Sequence, residues 1–111
     1  MIEKEIINYL VDNGFDARAE NPPSPPSEYV VVQKISENQQ NLIRYATVAV
    51  QSNADTLIDA MELNDAISDC MLNIVKLKKF GSCKLDNSYP YTNTSIKQYR
   101  YQSVFRIVYY R

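Results

Sequence analysis

Five carboxylates between residues 55 and 69 are the first side chains whose spacing could support chemistry. Asp55, Asp59, Glu62, Asp65 and Asp69 recur at three- and four-residue steps, which on a helix gathers them along one side. A di-metal site built on helices uses such steps, but it adds histidine partners and turns the carboxylates inward. The chain has no histidine, so the commonest general base and the commonest metal ligand are missing together. Cys70 and Cys83 fall in separate elements and give no zinc spacing. With glycine only at positions 14 and 81, no phosphate-cradling loop can form. These residues predict a protein that is not an enzyme and that carries no cofactor and no metal.

The second chemical pattern is aromatic and basic. Nine tyrosines and a closing run Tyr99-Arg100-Tyr101-Gln102, followed by Arg106, suit a sheet surface on which nucleic-acid bases stack. Alternation argues against it. Tyr99, Tyr101, Phe105, Ile107 and Tyr109 fall to one face, which Phe105 and Ile107 mark as core, while Arg100, Gln102, Arg106 and Tyr110 fall to the other. The glycine-containing strand signatures of ribonucleoprotein sheets are also absent. No specific nucleic-acid binding is expected, and a small nucleic-acid-binding module stays as an alternative.

The elements that must position these groups follow from periodicity. Ile2, Ile6, Tyr9 and Leu10 sit at helical spacing, so residues 2–13 read as a helix, closed by Gly14 as a left-handed cap with Phe15 as its apolar contact. Residues 15–20 alternate as a short strand, and the proline-rich segment 21–27 reads as an extended, polyproline-like connection. Residues 28–35 and 44–51 are rich in β-branched side chains and pair as an antiparallel hairpin, with 36–41 as a polar turn. Ser52 or Asn53 is the expected cap of a long helix over 54–78. Its stripe is Leu57, Ala60, Leu63, Ile67, Cys70, Met71, Ile74 and Leu77, with Glu62, Asp65, Asp69, Asn73 and Lys76 opposite. Burying about six large side chains of that stripe is worth on the order of 10 kcal/mol before entropy is charged. The carboxylates oppose this stripe and therefore form a solvated face or an interaction surface. Residues 80–85 suit a strand, 86–97 a long polar loop, and the alternation from Gln98 a closing strand. The fold class that results is α+β: a mostly antiparallel sheet with two helices packed on one face, one of them long and central.

Length and charge set the remaining bounds. The 111 residues fit one domain, 1–111, of ordinary globular composition. No apolar run reaches the roughly 20 residues that span a bilayer. The acidic, amphipathic start does not suit a secretory signal, which places the chain in the cytoplasm and makes two buried thiols the expected state of the cysteines rather than a disulfide. The net charge of −1 conceals a division: residues 1–75 carry 4 Lys/Arg against 12 Asp/Glu, and residues 76–111 carry 8 Lys/Arg against Asp86 alone. Either the two parts neutralise each other within one subunit, or they form complementary patches between subunits, as a head-to-tail ring requires.

As a whole the chain resembles the tail terminator, or tail completion, proteins of long-tailed phages, the group that includes the lambda terminator. The resemblance is one of layout. An N-terminal helix and short strand lead through Pro25-Pro26-Ser27-Glu28 into Tyr29-Val30-Val31-Val32-Gln33-Lys34. Then Ala46-Thr47-Val48-Ala49-Val50-Gln51-Ser52-Asn53-Ala54-Asp55-Thr56 is similar to a strand that runs straight into a long helix, and Arg100-Tyr101-Gln102-Ser103-Val104-Phe105-Arg106 is similar to the closing strand. Residues 78–97 depart most from the pattern. The resemblance implies a structural protein, made in the host cytoplasm and then part of the virion tail or neck. It would assemble as a homo-oligomeric ring, typically a hexamer, on the last ring of the major tail tube protein. There it stops polymerisation and offers the surface for a head-completion or connector protein. Another neck protein, a head-completion or connector adaptor, is the nearest alternative. Interface candidates are the hairpin tip (Asn38, Gln40, Arg44), the long loop (Asp86, Tyr89, Tyr91) and, as favoured anchor types, Tyr99, Arg100 and Arg106.

Overall fold

The computed structural model describes residues 2–20, 26–90 and 99–110. Helix α1 (Ile2–Asp12) buries Ile2, Ile6 and Leu10 along one stripe. It ends as Gly14 requires: at φ 95° this residue turns the chain left-handed, which costs glycine little. The Gly14 amide donates to the Val11 carbonyl and the Phe15 amide to the Leu10 carbonyl, both at 3.0 Å, the paired bonds of a Schellman cap. Phe15 then packs on the core. The strand expected over 15–20 shortens to β1 (Ala17–Arg18), which pairs in parallel with Val30 and Val31. Positions 21–25 of the proline segment and positions 91–98 lie outside the described residues.

The hairpin is longer than its β-branched centre. Strand β2 (Glu28–Gln40) and strand β3 (Ile43–Ala54) pair through Gln40 and Ile43, so residues 36–40 are strand rather than turn. The chain reverses at Asn41 and Leu42 alone, with Asn41 at φ 59°, a left-handed position that asparagine tolerates. Cross-strand pairing holds a polar sequence that by itself suggests a loop. Ile35 is the extra residue of a bulge between Lys34 and Ser36 and remains exposed.

Helix α2 (Leu57–Leu72) is shorter than the expected 54–78 stretch. At its start Ser52 and Asn53 are still strand residues, paired with Tyr101 and Arg100, and Thr56 caps instead: its hydroxyl accepts from the Asp59 amide at 3.1 Å. At its end Asn73 donates its side-chain amide to the Asp69 carbonyl, and the chain tightens into a 3-10 turn, Ile74–Lys76. Ala60, Asn64, Ile67 and Met71 are buried, with Ile74 beyond them, whereas Leu57 and Leu77 fall outside the buried stripe and are exposed. Strand β4 (Phe80–Pro90) runs five residues past the expected end, so Asp86, Tyr89 and their neighbours are sheet residues, not loop. Strand β5 (Tyr99–Tyr110) closes the fold.

The five strands lie in the order β1-β2-β3-β5-β4, antiparallel throughout except at β1. Both helices cover one face. Their apolar stripes form a single cluster with Val30, Val32, Val48, Val50, Phe105, Ile107 and Tyr109. The mixed α+β class with both helices on one side is therefore as the patterning implies. Cys83 belongs to that core, Cys70 packs against it, and both are free thiols. One polar set crosses the layer: Ser103 donates to Asn64 Oδ1 at 2.6 Å, Asn64 Nδ2 donates to Ser88 at 3.0 Å, and the two serine hydroxyls stand 3.1 Å apart. It ties α2 to β5 and β4 at one register. Among the described residues no helix is long and apolar enough to cross a membrane.

Candidate interaction surface

The face of the sheet away from the helices is organised in cross-strand rows, because paired residues point the same way. Nearest the hairpin tip the row reads Asn38, Tyr45, Val108 and Ser82 across β2, β3, β5 and β4; the next reads Ser36, Thr47, Arg106 and Lys84. Together these eight residues line a shallow concavity of about 510 Å³. Bulges at Ile35 in β2 and Gly81 in β4 flank it, and bulges add local twist that hollows a sheet. Tyr45 and Val108 supply an apolar floor, and Ser36, Thr47 and Ser82 supply hydroxyls.

The charge in this concavity comes mainly from Lys84 and Arg106, since Glu37 at its edge is engaged by Tyr109, Lys34 and Arg44. Lys84 and Arg106 are direct cross-strand partners, and like charges so placed repel. Asp86, the bulged residue between Leu85 and Asn87, stands 3.4 Å from Arg106, yet the Arg106 side chain remains 71 % exposed. A pair held this way favours an anionic neighbour from outside.

Farther from the tip the same face closes. Gln33, Ala49, Val104 and Asn87 form the third row, Val31, Gln51, Gln102 and Tyr89 the fourth, and Tyr29, Asn53 and Arg100 the last. Here Tyr29, Val31, Ala49, Asn53 and Val104 are buried. A side-chain ladder crosses the fourth row: Gln51 Nε2 donates to Gln102 Oε1 at 2.9 Å, and Gln102 Nε2 donates to the Tyr89 hydroxyl.

On the other side of the molecule α2 presents a contrasting surface. It contains Asp59, Glu62, Asp65 and Asp69 and no basic residue, and among the described residues none of these carboxylates forms an ion pair. Large apolar side chains lie among them: Ile58 is 68 % exposed, and Leu57, Met61 and Leu72 are also exposed. Among the described residues no group of three or more His, Cys, Asp or Glu side chains could hold a metal ion.

The expected interface residues separate accordingly. Asn38 and Arg106 meet in the concavity, with Asp86 beside it. Gln40 is exposed at the tip. Arg44 is committed inside the molecule: its Nε donates to Gln39 at 3.0 Å, and a terminal nitrogen lies 3.6 Å from Glu37. Glu37 also accepts from the Tyr109 hydroxyl and lies 3.8 Å from Lys34; these contacts, the Tyr109 bond first, hold its carboxyl below the usual range. Tyr89 and Arg100 belong to the closed part of the bare face, and Tyr99 lies half-buried on the helix-covered side. Tyr91 is outside the described residues. Ser36, Tyr45, Thr47, Ser82 and Lys84 were not among the expected residues. Their signal is the register, which unites four strands that the sequence keeps far apart.

The charge division can now be located. Among ion pairs between described residues, Lys79 with Glu5 at 2.5 Å is the single one joining residues 1–75 to residues 76–111. No protein-family model matches the chain, and no curated protein matches it.

Proposed function

We propose that this protein is a structural subunit of a phage tail that caps the tail tube, stops its growth and presents a surface for joining the head. The observation that carries the reading is the pairing of an element order with a bare surface. Helix, short strand, hairpin, long helix and two closing strands follow the layout of the tail terminators that the sequence resembles. One half of the helix-free sheet face is left open, and polar and cationic. A subunit of this kind needs no reactive centre. It needs two unlike flanks and one end-facing surface, carried on a scaffold stiff enough to hold them.

The test is tube growth in vitro with the major tail tube protein encoded nearest this gene. Added in amounts matching the number of tube ends, the chain is expected to arrest elongation and to appear as an extra density at one tube end by electron microscopy. Tubes that lengthen at an unchanged rate, with both ends bare, would refute the reading. A second reading, a small nucleic-acid-binding module, draws on the Lys84–Arg106 row. It predicts salt-dependent binding of single-stranded oligonucleotides through that row.

A further inference from the structure

We infer that the basic concavity of one copy receives the exposed flank of α2 from the next copy, in a head-to-tail contact between unlike surfaces. This names the partner surfaces of the ring proposed above and rests on that reading.

Three observations meet in it. The first is like-charge repulsion on each side. Asp65 and Asp69 are four residues apart on α2, and Glu62 and Asp65 three apart, so like charges face each other along the helix without a cation between them. Lys84 and Arg106 oppose each other on neighbouring strands, with Asp86, 3.4 Å from Arg106, offsetting only part of that repulsion. Bringing the two surfaces together removes both penalties at once.

The second is apolar matching. Steps of 100° place Leu57, Met61 and Leu72 beside Ile58, Glu62, Asp65 and Asp69 within about 140° of the helix surface. That arc carries exposed Leu57, Met61 and Leu72 on one side and Asp65, Asp69 and Glu62 on the other, with Ile58 among the carboxylates. The concavity has an apolar floor of Tyr45 and Val108 with cations along one rim. Apolar contact bordered by charge is how protein interfaces are commonly built.

The third is placement. The α2 flank and the concavity lie on opposite sides of the sheet, so one chain cannot bring its own two surfaces together. The contact is therefore between copies. Because the surfaces differ, a joined pair still keeps one free site of each kind, and repetition yields a closed ring or a filament rather than a sealed dimer. The concavity is modest beside a standard interface, so association in free solution is expected to be concentration-dependent and weakened by salt.

Charge exchange tests it. Two variants are needed, Lys84→Glu with Arg106→Glu, and Glu62→Lys with Asp65→Lys, each followed by sedimentation velocity over a wide concentration range. Wild type should associate. Each variant alone should associate at least about tenfold more weakly, since like charges then meet. A one-to-one mixture should regain association, because each variant's altered surface now complements the other's; this regain also shows that both variants fold. A wild type that stays monomeric throughout, single variants that associate as wild type does, or a mixture that stays apart would each overturn the contact. So would an oligonucleotide that binds wild type and is lost with Lys84→Glu and Arg106→Glu while association is untouched, which assigns the row to nucleic acid. The tube assay keeps the two readings separable. Restored association without capping leaves the contact and removes the capping function. Capping by variants that do not associate leaves the function and removes the contact.

Discussion

The two halves of the helix-free sheet face share the same strands and the same pairing, yet one is closed and the other open. Ala49 in the third row is 2 % exposed, whereas Arg106 in the second, a single row away, has a side chain 71 % exposed. The backbone does not distinguish them. The side chains differ: small, amide and apolar groups, with the Gln51–Gln102–Tyr89 ladder among them, in the closed half, against hydroxyls and two adjacent cations in the open half. A sheet face uncovered by helices is thus not uniformly a surface. The proposed docking uses only the part that keeps exposed charge, where Arg106 stays open despite Asp86 beside it.

A charge placed in the closed half is expected to have the largest effect. Ala49→Asp buries an unpaired carboxylate and is expected to lower unfolding free energy by about 3 kcal/mol. Thr47→Asp, one row away beside Arg106, should change it by no more than about 0.5 kcal/mol. Denaturant melts of the two variants compare the halves directly. Equal losses would mean that the open half is packed as the closed one is.

A pH series probes the neighbouring residues Cys83 and Lys84, which face opposite sides of the same strand. Burial pushes the Cys83 thiol up to about 12. Its folded value lies above the unfolded one near 9.0, so the stabilisation is fully present below pH 9 and is lost as pH rises toward 12. Tyr9, raised to about 12 by burial and by the neighbouring Cys70 thiol, adds to the same alkaline decline from pH 10 upward. Melts from pH 8 to 11 should show falling stability, with a shallower slope for Cys83→Ala. In the native state at pH 8 a thiol reagent should leave Cys83 unmodified; rapid modification would place it outside the core.

Smaller effects sharpen the picture. Gln102→Ala breaks the ladder joining Gln51 and Tyr89 and should cost about 1 kcal/mol, read in the same melts. Lys84→Ser removes one of two opposed cations and should stabilise the isolated chain by a few tenths of a kcal/mol, about 0.3, with the gain vanishing at high salt. A loss at low salt would show that Lys84 is balanced within the chain.

The fold class was legible because its signals are local: the spacing of Ile2, Ile6 and Leu10, the β-branched runs of the hairpin, the alternation closing at Tyr109. The Gly14 cap was legible for the same reason. Boundaries were not. Residues 36–40 read as turn but are held in strand by partners 43–47, and residues 86–90 read as loop but pair with β5. The helix is shorter at both ends than its periodicity implies, since pairing keeps Ser52 and Asn53 in the sheet and a side-chain bond caps the helix at Asn73. Of the expected interface residues, Asn38 and Arg106 meet in the concavity, while Arg44 is held by Gln39 and Glu37. Periodicity tells which face a residue takes along its own strand. It does not tell which residue of another strand will lie beside it, and the concavity is made of such neighbours.

The proposed docking uses the open rows and the α2 flank while the closed rows take no part. Side-chain and amide NMR shifts, followed as the wild-type protein is concentrated, test it directly. Shifts confined to Tyr45, Thr47, Lys84, Arg106, Val108 and the exposed flank of α2, with Tyr29, Ala49 and Asn53 unchanged, are the expected result. Shifts centred on the closed rows, or none at any concentration, would contradict it.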